Sequence, residues 1–326
     1  MSHRFLTVIV FVWCVTPSLA GQTRQWTPPR TADGQPDLQG FWTNATYTPL
    51  ERPRNVTKEL YSKEEAAELE KRAASDDTAQ TEPGTIADVH YDFTQFGLDT
   101  HQAPYASNLR TSMIVDPPGG RLPPLSAEGR KRAAERAEQE KRVGRWDSAQ
   151  ANQLDDRCVI FAGAGPPMMP QSYNSNYQIV QAPGYVMILF EIAHDVRIIP
   201  LDGRPHLAPH IRQWIGDSRG RWEGDTLVVE TTNLNGKNPL NGSSEQMRVT
   251  ERFTRVDADT ILYKFTINDE STWTRPWSAD LPMRRTIGPL FEHACHEGNY
   301  GLYNTLVGAR LEEKKAAEEA ARKGIK

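Results

Sequence analysis

The sequence predicts a mainly β protein, an antiparallel meander closed into a lipocalin-like barrel or curved sheet, with peripheral helices. Three observations carry this. From about Cys158 onward, apolar and polar residues alternate at period two. Turn residues punctuate that stretch at short intervals, giving roughly eight strands with no helix between them. Helical patterns are confined to charged stretches with few apolar residues, the mark of helices lying on a surface.

Taken in order, residues 1–20 read as a removable export signal. Arg4 begins it, an apolar run from Phe5 to Val15 follows, and Ser18-x-Ala20 supplies the small-residue cleavage pattern. The apolar run is too short to span a bilayer. Residues 21–150 read as an irregular, proline-rich region with a first strand around Gly40-Phe41-Trp42. "SKEEAAELEKRAA" (Ser62–Ala74) is a helix with a capping box, Ser62 to Glu65. Ser75–Thr85 reads as a polar loop, and "SMIVDPPGGRLPPLS" as a short strand and turn. Ser126 caps a second charged helix that reaches about Val143.

Residues 151–305 hold the strands. "YQIVQAPGYVMILFEI" reads as two strands joined at Ala182-Pro183-Gly184. The next strands break at Asp217–Gly220 and at Gly224-Asp225. "MRVTERFTRVDADTILYKFTIND" is a hairpin with Asp257-Ala258-Asp259 at its turn. Residues 306–326 read as a charged C-terminal helix.

Composition narrows the function classes. The net charge of −4 and the lack of a basic stripe argue against a nucleic-acid partner. Removing the signal leaves Cys158 and Cys295, and an even pair in an exported chain suggests one disulfide. Closing so long a loop is worth about 4–5 kcal/mol in the chain-entropy view; two buried free thiols are the alternative. P-loop, GxGxxG and HExxH patterns are absent, so no cofactor or metal is expected.

Chemistry concentrates in "FEIAHDVRIIPLDGRPHLAPH" (Phe190–His210). On one straight strand from Tyr185 to Ile199, Glu191, Asp195 and Arg197 share a face and His194 interrupts the apolar one. A bend at Ala193-His194-Asp195 would re-aim them. A catalytic reading makes His194 the acid or base, oriented by Asp195, with Arg197 stabilising negative charge. The competing reading is an Asp195–Arg197 ion pair beside a core histidine. His206 and His210 have a metal-like spacing only on a helix, which Pro205 and Pro209 disfavour. "FEHACHEGNYG" supplies His296 and Glu297 as a second proton-transfer pair; with His293 they match no trusted zinc pattern. Trp214, Trp222 and Tyr177 are candidate ligand-binding aromatics, with core packing as the simpler role for each.

"TADGQPDLQGFW", "IAHDVRIIPLDGRPHLAPHIRQWIGDSRGRWEGDTLVVETTN", "ERFTRVDADTILYKFTIND" and "ACHEGNYG" resemble a large set of exported proteins of Proteobacteria and Acidobacteria. That resemblance implies export and carries over no catalytic residue, because the set has no assigned activity. Gly40-x-Trp42 and the meander also resemble lipocalins, which implies a ligand cavity. The function expected is cofactor-free acid–base chemistry (hydrolysis, elimination or isomerisation) on a small organic molecule, aromatic or sugar-like. A non-catalytic periplasmic binding protein and a structural envelope component are the alternatives. A monomer or dimer is expected, without a stable membrane span.

Overall fold

A computed structural model describes residues 26–77, 108–144, 146–171 and 173–324. The expected export signal, and the end of the polar loop after Ser75, lie outside the described residues. The strands are β1 (Gly40–Thr43), β2 (Ile114–Asp116), β3 (Asn176–Ala182), β4 (Tyr185–Phe190), β5 (Val196–Pro200), β6 (Asp217–Glu223), β7 (Thr226–Thr232), β8 (Arg248–Arg255), β9 (Thr260–Asn268) and β10 (Trp277–Arg285). The helices are α1 (Lys63–Asp77), α2 (Ala127–Arg142) and α3 (Tyr300–Arg322).

The sheet runs β5-β4-β3-β1-β10-β9-β8-β7-β6, with β2 added beside β10. Every pairing is antiparallel. β3–β5 and β6–β10 are two meanders, and β1 splices them by pairing with β3 on one side and β10 on the other. The path curls until its end strands, β5 and β6, meet without a backbone ladder. This is the nearly closed, barrel-like fold with peripheral helices that the sequence predicts.

Alternation builds the interior. Val186, Ile188 and Phe190 of β4 face inward, as do Val249 and Phe253 of β8 and Ile261, Tyr263, Phe265 and Ile267 of β9. With Trp42, Trp273, Trp277 and Tyr177 they fill the barrel, each at 0–1 % exposure. The expectation of a lipocalin-like central cavity is therefore not met at these positions, where the core is packed side chain against side chain. The Gly40-x-Trp42 motif has a local cause. Gly40 takes φ +126°, and an added Cβ would lie 3.1 Å from Arg285 Nη1. Trp42 donates its indole N–H to the Leu38 carbonyl at 2.9 Å, and the guanidinium groups of Arg255 and Arg285 lie 5.6 and 4.8 Å from its ring centroid.

Several boundaries differ from the sequence reading. Asp217–Gly220 does not break a strand; it is the first half of β6, paired with β7. A Cβ on Gly220 would lie 2.6 Å from Leu201 Cδ2 and 2.8 Å from Ile199 Cγ2, so this glycine marks the close approach of β5 to β6 rather than a turn. β10 carries Pro282 between the residues paired with β2 and those paired with β1, where a missing N–H breaks no ladder on that side. α3 starts at Tyr300, six residues before the expected start, because Asn299 caps it by accepting from the Leu302 amide at 3.2 Å. Among the described residues no helix is long and apolar enough to cross a membrane.

Candidate functional site

The straight strand drawn from Tyr185 to Ile199 is a hairpin. β4 ends at Phe190, the chain turns through Glu191–Asp195, and β5 returns alongside, with the Phe190 amide donating to the Asp195 carbonyl at 2.9 Å. Ala193 (φ +61°) and His194 (φ +54°) both take the left-handed conformation. Outside glycine this costs roughly 1–2 kcal/mol per residue, so the corner needs external support. Asn176 Nδ2 donates to Glu191 Oε2 at 2.6 Å, and the Phe291 amide donates to Glu191 Oε1 at 3.0 Å. The Ala193 amide donates to His293 Nδ1 at 3.2 Å, which leaves the neutral ring its proton on Nε2. Burial lowers the pKa of His293, with Glu191 pulling weakly the other way. Buried Ile192 plugs the turn.

The turn also reverses the facing of β5. Ile188 pairs with Arg197 and Val186 with Ile199, and cross-strand partners share a face, so Arg197 enters the barrel with the apolar residues. Arg197 and Glu251 are exposed by only 2 % and 0 %. An unpaired charge there would cost several kcal/mol, and each guanidinium nitrogen is accordingly bonded. Arg197 Nη1 donates to Glu251 Oε1 at 3.0 Å and Nη2 to Glu251 Oε2. Nε donates to Ser218 Oγ at 2.9 Å and Nη2 also to Thr231 Oγ1 at 2.8 Å. Tyr263 donates to Glu251 Oε1 at 2.8 Å and accepts the Met168 amide at 2.9 Å. Burial and the neighbouring Glu251 carboxylate push the Tyr263 hydroxyl well above its ordinary pKa, so it stays a donor. One guanidinium thus joins β5 to β6, β7 and β8 across the seam where the ladder is missing.

The sequence-predicted residues are therefore scattered. His194 and Asp195 are exposed on the corner, and burial of part of the Asp195 carboxyl raises its pKa. Arg197 is inside the barrel, bonded to Glu251 rather than Asp195, which corrects the shared face assigned to Glu191, Asp195 and Arg197. His296 and Glu297 are exposed. Among the described residues no hydrogen bond or ion pair joins them to His194. "HACHEG" does meet the corner, through His293. Cys158 and Cys295 form the expected disulfide, with Cα atoms 5.7 Å apart. His206 Nδ1 lies 2.8 Å from Asp217 Oδ2, a loop contact. Among the described residues no three His, Cys, Asp or Glu side chains could hold a metal ion.

The aromatics separate too. Tyr177 is core, its hydroxyl donating to Asn44 Oδ1 at 3.3 Å. Trp222 packs half-buried against the core. Trp214, 40 % exposed, lines a recess of about 50 Å³ with Ile160, Pro166, Met169, Leu240 and Met247. Ile160, Ala162 and Asn238 also line a groove of about 820 Å³, so the recess and the groove are neighbours that share a wall and together form one cleft region. Arg136, Gln139, Asn152, Asp155, Arg157 and Lys237 form most of the groove's polar lining.

Three anchored segments build this cleft. Gly129 in the first turn of α2 would place a Cβ 2.4 Å from the Thr272 carbonyl oxygen, so only a glycine lets the helix lie on that backbone. Arg132 reaches Thr272 Oγ1 and the Ser271 carbonyl. Asp269 accepts from the Ser244 amide at 2.6 Å and from Thr272 Oγ1 at 2.6 Å, tying α2 to the loop before β8. Burial raises the Asp269 pKa, but these donors outweigh it and hold the carboxyl below the usual range. The outer wall, residues 148–162, has Ser148 capping the turn Ala149–Ala151 and the disulfide pinning Cys158. Asn299 donates to the Asp156 carbonyl at 2.9 Å, and Arg310 of α3 to the Trp146 and Asp147 carbonyls.

Sequence reasoning missed Glu251, although its signal is visible: the alternation of Met247, Val249 and Phe253 puts position 251 on the apolar face. Arg136, Arg157 and Lys237 carried no signal, because they come from a helix and two irregular loops. No family model, curated protein or solved structure matches the chain.

Proposed function

We propose that the protein binds a small organic molecule without transforming it, in the cleft between α2, residues 148–162 and the loop between β7 and β8. The observation that carries this reading is the adjacency of a small recess, with Trp214, Met169 and Met247 among its lining, to a much larger groove with a charged lining. Ligand sites combine an apolar lining with a few polar groups that fix orientation. The recess has room for a short aliphatic branch, and the groove for the rest of the molecule. Each wall is tethered to the barrel, so little ordering entropy opposes binding. The acid–base reading has no assembled set of groups to carry it: His194, Arg197 and the pair His296–Glu297 occupy three different environments.

Export is part of the proposal. The leader-like residues 1–20, the Cys158–Cys295 disulfide and the resemblance to exported bacterial proteins support it.

Binding is tested by following tryptophan fluorescence of the intact mature chain against a panel of small organic acids, alcohols and aromatics. Quenching that saturates, and that weakens at least tenfold in Trp214→Ala, is expected. Turnover of a panel member, lost in His194→Ala but retained in Trp214→Ala, would contradict it.

A further inference from the structure

The charges in the groove indicate its ligand. Some arginines elsewhere sit on carboxylates, such as Arg212 on Glu245, Arg219 on Asp217 and Arg252 on Glu223, while others, such as Arg52, Arg130 and Arg255, bond backbone carbonyls. The groove gathers three cations of neither kind. Among the described residues, Arg136, Arg157 and Lys237 have no carboxylate within ion-pair distance, and all three line one groove. Arg157 is half-buried, so its charge is less screened than one in open water. Lys237 lies 5.7 Å from the Trp214 ring centroid, placing a cation at the junction of groove and recess.

Two carboxylates, Glu140 and Asp155, also line the groove. Asp155 accepts the neighbouring Asp156 amide at 2.9 Å, and its field contributes to raising the pKa of Tyr173, after burial. Glu140 is exposed on α2, where water screens it.

Resting on the cleft reading above, we infer that the ligand is an organic anion: a molecule with a short aliphatic end for the Trp214 recess and a carboxylate for Arg157 and Lys237. A carboxylate there gains charge-assisted hydrogen bonds that an amide of the same shape does not. The groove cations also attract it, an attraction that a positively charged isostere would reverse.

The experiment is calorimetric titration of the full mature chain with octanoate, octanamide and octylammonium. Octanoate is expected to bind on the order of tenfold tighter than octanamide, with octylammonium weakest. Arg157→Gln and Lys237→Gln should each shrink that preference, and Arg157→Lys should keep part of it. Both positions face the groove, and unfolding curves matching wild type would confirm intact folding. Octanamide binding as tightly as octanoate, with Trp214→Ala weakening both, would overturn the anion inference and leave the cleft reading standing. Tightest binding of octylammonium would also overturn it, assigning the preference to Glu140 and Asp155. Failure of all three to bind would overturn this inference, while the fluorescence panel decides the cleft reading separately.

Discussion

Arg197 and Arg157 are the same side chain in opposite conditions. Arg197 is enclosed in the barrel with Glu251, Ser218 and Thr231 taking its donors. Arg157 lines an open groove and meets no carboxylate among the described residues. In a packed interior a charge is tolerated only when fully partnered, so it becomes a fastener. In a solvated groove the cost of an unpartnered charge is small, and the charge stays available to a ligand. Charged residues inside an apolar strand therefore mark the barrel seam here, and the irregular loops hold the groups proposed to bind a ligand.

The largest expected effect breaks the fastener. Arg197→Met should cost about 3–5 kcal/mol, because it strands Glu251 in the core. Adding Glu251→Leu should recover most of the loss, and urea unfolding of the single and double variants checks both. Equal instability of the two would mean that the pair does not act as a unit.

Next comes the seam itself. Gly220→Val should cost about 1–3 kcal/mol by forcing β6 away from Ile199 and Leu201, again read by urea unfolding. An unchanged midpoint would show that β5 and β6 do not approach closely in solution.

A smaller effect, of opposite sign, is expected at the corner. Ala193→Gly should stabilise by about 1 kcal/mol, since glycine adopts φ +61° without the side-chain penalty; a rise in Tm is the readout.

The subtlest effect is a pH dependence. His293 has a folded pKa below its unfolded value, so its contribution is present above the unfolded pKa. It is lost as pH falls through the folded pKa, when protonated Nδ1 can no longer accept from Ala193. Stability should decline on acidification through that window, and His293→Gln should flatten the slope. Asp195 works in reverse: its raised pKa makes a contribution that is lost as pH rises through the folded value.

Much of the barrel was legible because strict alternation is a strong signal. The β8–β9 hairpin follows it residue by residue, from Val249 to Ile267. The corner was less so: left-handed Ala193 and His194 carry no glycine to announce a turn, and their support comes from Glu191 and His293, 102 positions apart in the sequence. The straight-strand reading put Arg197 on the wrong face, since an error of one residue in register inverts every side chain beyond it; the bend offered as the alternative at Ala193-His194-Asp195 is where the chain turns. Gly220 was taken for a turn because glycine signals both turns and close approaches. The cleft has no period to read, and only Trp214 among its residues was visible beforehand, as one of several unassigned aromatics. The disulfide was legible because export leaves only two cysteines to pair.

The central claim, that the seam charges hold the fold while the cleft binds the ligand, is tested most directly by the indole N–H signals of the tryptophans in a ¹H–¹⁵N spectrum during octanoate titration. Trp214 is expected to shift progressively and saturably, with Trp42, Trp273 and Trp277 of the barrel core unmoved. Shifts in the core tryptophans with Trp214 unchanged would place the ligand inside the barrel and contradict it.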